Sequence, residues 1–142
     1  RLTDVTGVQT CALPICLEFV NFNEAVSVPL EKKYVEKICF EVLQNTVKYV
    51  THEMLKIEIS LLVNPLGQKE LTFLDNGHGI PQEEIERLGS RFVQIEKNFS
   101  GNLPGLGLGF FLIREIMEQV EGNLQIHSAP DKGLQVILVF PE

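Results

Sequence analysis

DNGHGI, from Asp75 to Ile80, closes the segment Lys69 to Asp75, whose alternation puts Leu71, Phe73 and Asp75 on one side. Asp75 is therefore expected where the core residues point. An ionised carboxylate at the edge of an apolar layer is costly without hydrogen bonds, so the fold or a ligand must supply a donor. Gly77 and Gly79 leave bare backbone where a flat ligand, or another stretch of backbone, can come close. An Asx-type turn closing the strand explains the same residues. At this point both readings stand.

Upstream, Leu55 to Val63 alternates cleanly, with Ile57, Ile59, Leu61 and Val63 on one face and Lys56, Glu58 and Ser60 on the other. The turn Asn64-Pro65-Leu66-Gly67 follows, so the two segments are expected to form an antiparallel hairpin. Before them, Pro29 sits at the entry of a helix expected from Leu30 to Val50, whose core face holds Val35, Ile38, Cys39, Val42, Thr46 and Val50. Glu41, Asn45, Lys48 and His52 form a polar stripe beside that face. Such a stripe looks into a cleft, or it is a solvated flank with a Glu41 to Lys48 attraction. A first strand is expected over Leu17 to Phe22. Residues 1–15 show neither period, and they read as a non-native or disordered leader ahead of one domain over residues 16–142.

Downstream, Pro81 with Gln82 to Leu88 predicts a short helix, and periodicity is lost between Gly89 and Gly105. A loop that long in a compact domain is more often functional than idle. Gly105, Gly107 and Gly109 then lead into a helix carrying Leu108, Leu112, Ile113, Ile116 and Val120, stopped by Gly122-Asn123. Two strands, Leu124 to Ser128 and Leu134 to Phe140, flank a turn at residues 129–133. His127 falls on the face opposite Leu124 and Ile126 and is expected at the surface. This order implies an α+β fold, an antiparallel or mixed sheet with helices on one face.

The bulk properties narrow the function. The 142 residues suffice for one two-layer core. A net charge of −7, without clustered Lys and Arg, argues against a nucleic-acid surface. Three cysteines without CxxC spacing and three scattered histidines argue against zinc and against a disulfide framework. No apolar run is long enough to span a bilayer, so the expected setting is cytoplasmic, in a fragment that begins at Arg1 and can be cut from a membrane protein.

A glycine-rich helix start is a general anion site, because unpaired N–H groups and the positive end of the helix dipole converge there. GxGxG alone is weak. Its weight comes from order: EVLQNTVKY (Glu41 to Tyr49), DNGHGI, RFVQIEKNF (Arg91 to Phe99) and GLGLGFFLI from Gly105. That order resembles the GHKL superfamily of ATP-binding domains, closest to the catalytic domain of bacterial sensor histidine kinases. The four stretches look like that family's asparagine box, first glycine box, phenylalanine box and second glycine box. The resemblance covers Leu17 to Pro141 and implies a two-layer α/β sandwich of the Bergerat type, with a mixed, mostly antiparallel sheet, helices on one face and a mobile ATP lid.

The resemblance also implies roles. Asp75 would accept a hydrogen bond from the adenine amino group. Gly77 and Gly79 would let the base lie against the backbone, and Ile80 would line its pocket. Asn45 would hold Mg²⁺ through its amide oxygen. Lys48 would neutralise phosphate charge, and Tyr49 would pack near the base or ribose. Glu41 would orient or activate the attacking group. Gly105, Gly107 and Gly109, with Leu108, would meet the phosphates, and the lid, Arg91 to Asn102, would contribute Phe92.

The implied activity is transfer of the ATP γ-phosphoryl to a histidine on a separate dimerisation domain of the same full-length protein, with a response-regulator receiver downstream. No such two-helix segment precedes Leu17, so this chain is expected to bind ATP without completing phosphotransfer alone. Leu106 and Leu134 depart from the pattern, since the family often carries Ser or Thr there; the Thr at the second position helps hold adenine through water. Two alternatives keep the fold: an anti-sigma-factor-type serine kinase, and a non-enzymatic nucleotide-sensing module.

Overall fold

The computed structural model describes residues 9–12, 15–23, 25–49, 54–79, 85 and 106–142. Strands β1 (Gln9–Ala12), β2 (Ile15–Phe22), β3 (Leu55–Val63), β4 (Lys69–Asp75), β5 (Asn123–Ser128) and β6 (Leu134–Phe140) form one sheet in the order β1-β2-β3-β4-β6-β5. Helix α1 (Lys32–Tyr49) lies between β2 and β3 in the chain, and α2 (Leu106–Gln119) precedes β5. Only β2 and β3 pair in parallel; the other four neighbours are antiparallel. A parallel pair needs a long crossover, and the segment containing α1 supplies it.

The alternation read from the sequence sets the faces. Registers Ile59↔Phe73↔Val136 and Leu61↔Leu71↔Leu138 run across the sheet as apolar rows. Against them pack Ile38 and Val42 of α1, and Phe110, Ile113, Ile116 and Met117 of α2, all buried. Ile85, the one described residue of the expected helix 82–88, is buried in the same core. The opposite face mixes polar residues with Leu62, Leu74, Ile137 and Val139. There Lys56 Nζ lies 2.6 Å from Glu18 Oε2 on β2 and 2.9 Å from Glu58 Oε1 on its own strand, and these hydrogen bonds hold its ammonium charged far above the ordinary lysine range. The helices therefore occupy one face, as expected.

Gln9–Ala12, within the expected leader, pairs antiparallel with Ile15–Glu18. Three expectations are corrected in detail. The first strand starts at Ile15, not Leu17. In α2 the buried face is Phe110, Ile113, Ile116 and Met117, whereas Leu112 and Val120 are half-buried. The terminator of α2 is also shifted. Glu121, at φ 54°, adopts the left-handed conformation, and Gly122 N–H reaches back to Met117 O at 2.9 Å. Gly122 is needed for space, since a Cβ there would sit 2.5 Å from Met117 Cε and 2.9 Å from Val139 O.

Candidate functional site

Asp75 ends β4 opposite Ile57, continuing the buried row of Leu71 and Phe73, and it is 8% exposed. The fold supplies its donors. Gly77 N–H and Leu134 N–H each donate to Oδ1 at 2.9 Å, and the Thr46 hydroxyl lies 3.1 Å from Oδ2. The Gly77 bond is an Asx turn, so that reading of DNGHGI is realised here. A carboxylate offers about four acceptor sites; the described residues engage three, and among them none fills the fourth, on Oδ2.

Two neighbouring turns build this cradle. The β5–β6 turn packs on the DNGHGI turn, where Asp131 N–H donates to His78 O at 2.7 Å. Gly79, at φ 72°, approaches Ala129 so closely that any Cβ would collide with its carbonyl. Backbone of the protein itself thus requires glycine there, whatever else approaches it. Asn76 is also scaffold, with Oδ1 accepting from Lys56 N–H at 2.8 Å and Nδ2 donating to Met54 O at 3.2 Å. His78 is exposed, its Nδ1 4.0 Å from Asp131 Oδ1. His127 is exposed on β5, as expected.

One turn of α1 brings a second group together. Glu41 and Asn45 both face Gly109 in the first turns of α2: a Cβ on Gly109 would lie 2.9 Å from Glu41 Oε2 and 3.3 Å from Asn45 Nδ2. The missing side chain is what lets the polar stripe of α1 meet the glycine-rich start of α2. Glu41 Oε1 is held by Lys37 Nζ at 2.7 Å, one turn earlier. Among the described residues the ion-pair partner of Glu41 is Lys37; the expected attraction to Lys48 involves a side chain outside the described residues. Asn45 is 5% exposed, and its Nδ2 is buried with no hydrogen-bond partner among the described residues.

An orphaned amide donor in a buried position is costly. A ligand oxygen at Nδ2 would relieve it; exchanging the amide's O and N, which are assigned by their surroundings, would instead present an oxygen. Among the described residues no group of three or more His, Cys, Asp or Glu could hold a metal ion. A hard cation here would therefore depend on the Asn45 amide oxygen and on oxygens of a bound ligand, a donor set that fits Mg²⁺.

Gly77, Gly107 and Gly109 lie within described elements, and Leu108 lies in the first turn of α2. Lys48 and Tyr49 occupy the last turn of α1, but their side chains, like that of Leu108, fall outside the described residues. So do Ile80, Phe92, Gly105 and the whole expected lid, Arg91 to Asn102. Thr46 and Lys37 were not singled out as site residues. For Thr46 the available signal was a threonine inside a helix, which commonly back-bonds to the carbonyl four residues earlier, here Val42 O at 3.0 Å.

A buried carboxylate with one acceptor site to spare and an orphaned amide opposite a glycine-rich helix start define a nucleotide-binding class of site on a two-layer sandwich. The chain belongs to the family described as histidine kinase-, DNA gyrase B-, and HSP90-like ATPase, whose model matches residues 31–142. Membership implies ATP binding. Among curated relatives, the autoinducer 2 sensor kinase/phosphatase LuxQ of Vibrio cholerae is 26% identical over 145 residues, 96% of this chain and 17% of that protein. The sensor protein kinase WalK of Staphylococcus aureus is 28% identical over 101 residues, 70% of this chain and 24% of that protein. The catalytic domain of histidine kinase ThkA shares the fold with a TM-score of 0.68 at 22% identity, covering 90% of this chain and 80% of that one. The chain spans 15–17% of the length of the first curated relatives it matches. Among the described residues, no helix is long and apolar enough to cross a membrane.

Proposed function

We propose that this chain is the ATP-binding catalytic domain of a two-component sensor histidine kinase, an enzyme that delivers the γ-phosphoryl of ATP to a histidine on a separate dimerisation domain of the same protein, on the cytoplasmic side, with a response-regulator receiver downstream. The observation that carries the reading is the acceptor site on buried Asp75 Oδ2 that none of the described residues fills. An exocyclic amino group is the complement of such a site, and adenine has one next to its ring nitrogen. Mg²⁺, when bound, neutralises phosphate charge, and Asn45 would hold it through the amide oxygen. Gly107 and Gly109 would present the N-terminal turn of α2 to the phosphates together with Gly105. Lys48 would add charge, while Tyr49, Ile80, Leu108 and Phe92 would enclose the nucleotide. Glu41 would take the proton of, or orient, the attacking histidine. The sensor-kinase relatives favour this enzyme over the serine-kinase and pure-sensor alternatives.

Calorimetric titration of ATP into the wild type and Asp75→Asn tests the reading. Asparagine can keep an oxygen toward Gly77 and Leu134, so the fold should persist. Its NH₂ would then face the adenine amino group donor to donor, and affinity should fall by about a hundredfold or more. Equal affinity in a folded variant would remove Asp75 from the base site.

A further inference from the structure

We propose that Thr46 is a specificity-determining residue of the base site: its hydroxyl locks the plane of the Asp75 carboxylate, so that the free acceptor site of Oδ2 takes a 6-amino purine and rejects a 6-oxo purine. The proposal rests on the ATP-site reading above and deepens it. Thr46 is 2% exposed, and its Oγ1 lies 3.1 Å from Asp75 Oδ2 and 3.0 Å from Val42 O. A hydroxyl has one proton, and both neighbours are acceptors. The carboxylate is the stronger claimant, since hydrogen bonds to ionised groups are roughly twice as strong as neutral ones. The proton therefore goes chiefly to Oδ2.

Three donors from three separate segments then fix one small group. Gly77, in the turn after β4, and Leu134, at the start of β6, hold Oδ1; Thr46, on α1, holds Oδ2. Rotation about the Cβ–Cγ axis carries both oxygens together, and the Oδ1 bonds restrain it from one side of the group only. With the third bond it cannot turn away from whatever faces its last acceptor site. An amino group there gains a charge-assisted hydrogen bond. A carbonyl there sets lone pair against lone pair, and the rigid carboxylate has no means of avoiding it. The position after Gly133, which carries Leu134, brings no hydroxyl to this site, so among the described residues Thr46 is the one side chain hydrogen-bonded to Asp75.

The test compares ATP with inosine triphosphate, which differs from ATP at the 6-position and the adjacent ring nitrogen. Affinities for both are measured on wild type, Thr46→Val, Thr46→Ser and Asp75→Asn, with thermal unfolding to establish that each is folded. Wild type should prefer ATP. Thr46→Val, which keeps the shape and loses the donor, should lower the ATP-to-inosine triphosphate ratio by about tenfold, and Thr46→Ser should restore it. Thr46→Ala serves if the valine variant does not fold. An unchanged ratio in a folded variant without the hydroxyl overturns the proposal, as does a wild type that does not discriminate. A wild type that binds neither nucleotide, or an Asp75→Asn variant that binds ATP as wild type does, instead overturns the underlying ATP-site reading.

Discussion

The backbone N–H of Leu134 donates to Asp75 Oδ1 at 2.9 Å, tying the first residue of β6 to a carboxylate 59 positions earlier. That bond requires the chain before Leu134 to press directly onto β4. Gly133, at φ 77°, makes this possible: a Cβ there would collide with the Asp75 carbonyl and lie 3.1 Å from Asp75 Oδ1. The glycine, the amide and the carboxylate form one unit, so the site's central acceptor is positioned by the closure of the sheet.

Gly133→Ala should therefore damage fold and site together. The left-handed backbone alone costs about 1–2 kcal/mol for a residue with a Cβ. The collision is with backbone, which cannot swing aside, so the total should reach about 3 kcal/mol, with weakened ATP binding in whatever remains folded. Urea unfolding measures it, and a loss below about 1 kcal/mol would show that the turn relaxes freely.

Gly109→Ala should separate stability from activity. Gly109 sits inside α2, where alanine is the better helix former by about 1 kcal/mol. The new methyl would meet Glu41 Oε2 at 2.9 Å, the movable end of a side chain, and Asn45 Nδ2 at 3.3 Å. The variant should be as stable as wild type to within about 1 kcal/mol. Phosphotransfer to a cognate dimerisation domain should nevertheless fall at least about tenfold, because both groups are displaced. Unaltered transfer would mean that Glu41 and Asn45 act from some other position.

Cys39 offers a readout of α1 packing. Burial pushes its thiol above the ordinary range, the nearby Glu36 charge adds to this, and a backbone hydrogen bond opposes it less strongly. The unfolded thiol thus ionises first as pH rises. The unfolded state then binds fewer protons than the folded state, and stability declines from the ordinary thiol pKa up to the raised one. Iodoacetamide at about pH 8 should label Cys39 several-fold more slowly than a small free thiol. Against Cys39→Ala, the wild type should lose stability through that alkaline window; parallel curves would rule the shift out.

Much of this was legible in the sequence for a specific reason: period-2 alternation survives wherever one sheet face is buried. Leu71, Phe73 and Asp75 point as their spacing says, and so do Ile57, Ile59 and Leu61. The meeting of Glu41 and Asn45 with the second glycine-rich stretch was implied by the family resemblance and could not be read from spacing, since 64 positions separate Asn45 from Gly109 and only tertiary packing joins them. The partners of Asp75 were equally unreadable, because two of its three donors are a backbone amide on β6 and a hydroxyl on α1. The left-handed Glu121, one residue before the expected glycine, shows tertiary crowding overriding local preference: Gly122 is reserved for the contact with Met117 and Val139. The four motifs conveyed the class of site, and the hydrogen-bonding detail came from packing.

Lys37 and Glu41 provide the remaining prediction. Lys37 Nζ lies 2.7 Å from Glu41 Oε1, while Oε2 is the oxygen turned toward Gly109. The lysine thus fixes one oxygen and leaves the other facing the site. Its side chain is 46% exposed, so the pair should contribute under about 1 kcal/mol to stability. Its value lies in orientation. Lys37→Met should unfold almost as wild type does and bind ATP within about twofold, yet transfer phosphoryl several-fold more slowly, because Glu41 samples unproductive rotamers. Glu41→Gln, which removes the proposed base, should cost a hundredfold or more in turnover while ATP still binds, within the roughly 10²–10⁴ range for general acid–base catalysis. Salt distinguishes orientation from incidental contact. A half-exposed ion pair is screened as ionic strength rises, so the wild type should approach the Lys37→Met rate between about 0.05 and 1 M salt, with the variant changing less. Equal rates for wild type and Lys37→Met at low salt would leave the pair as surface decoration and place the control of Glu41 elsewhere.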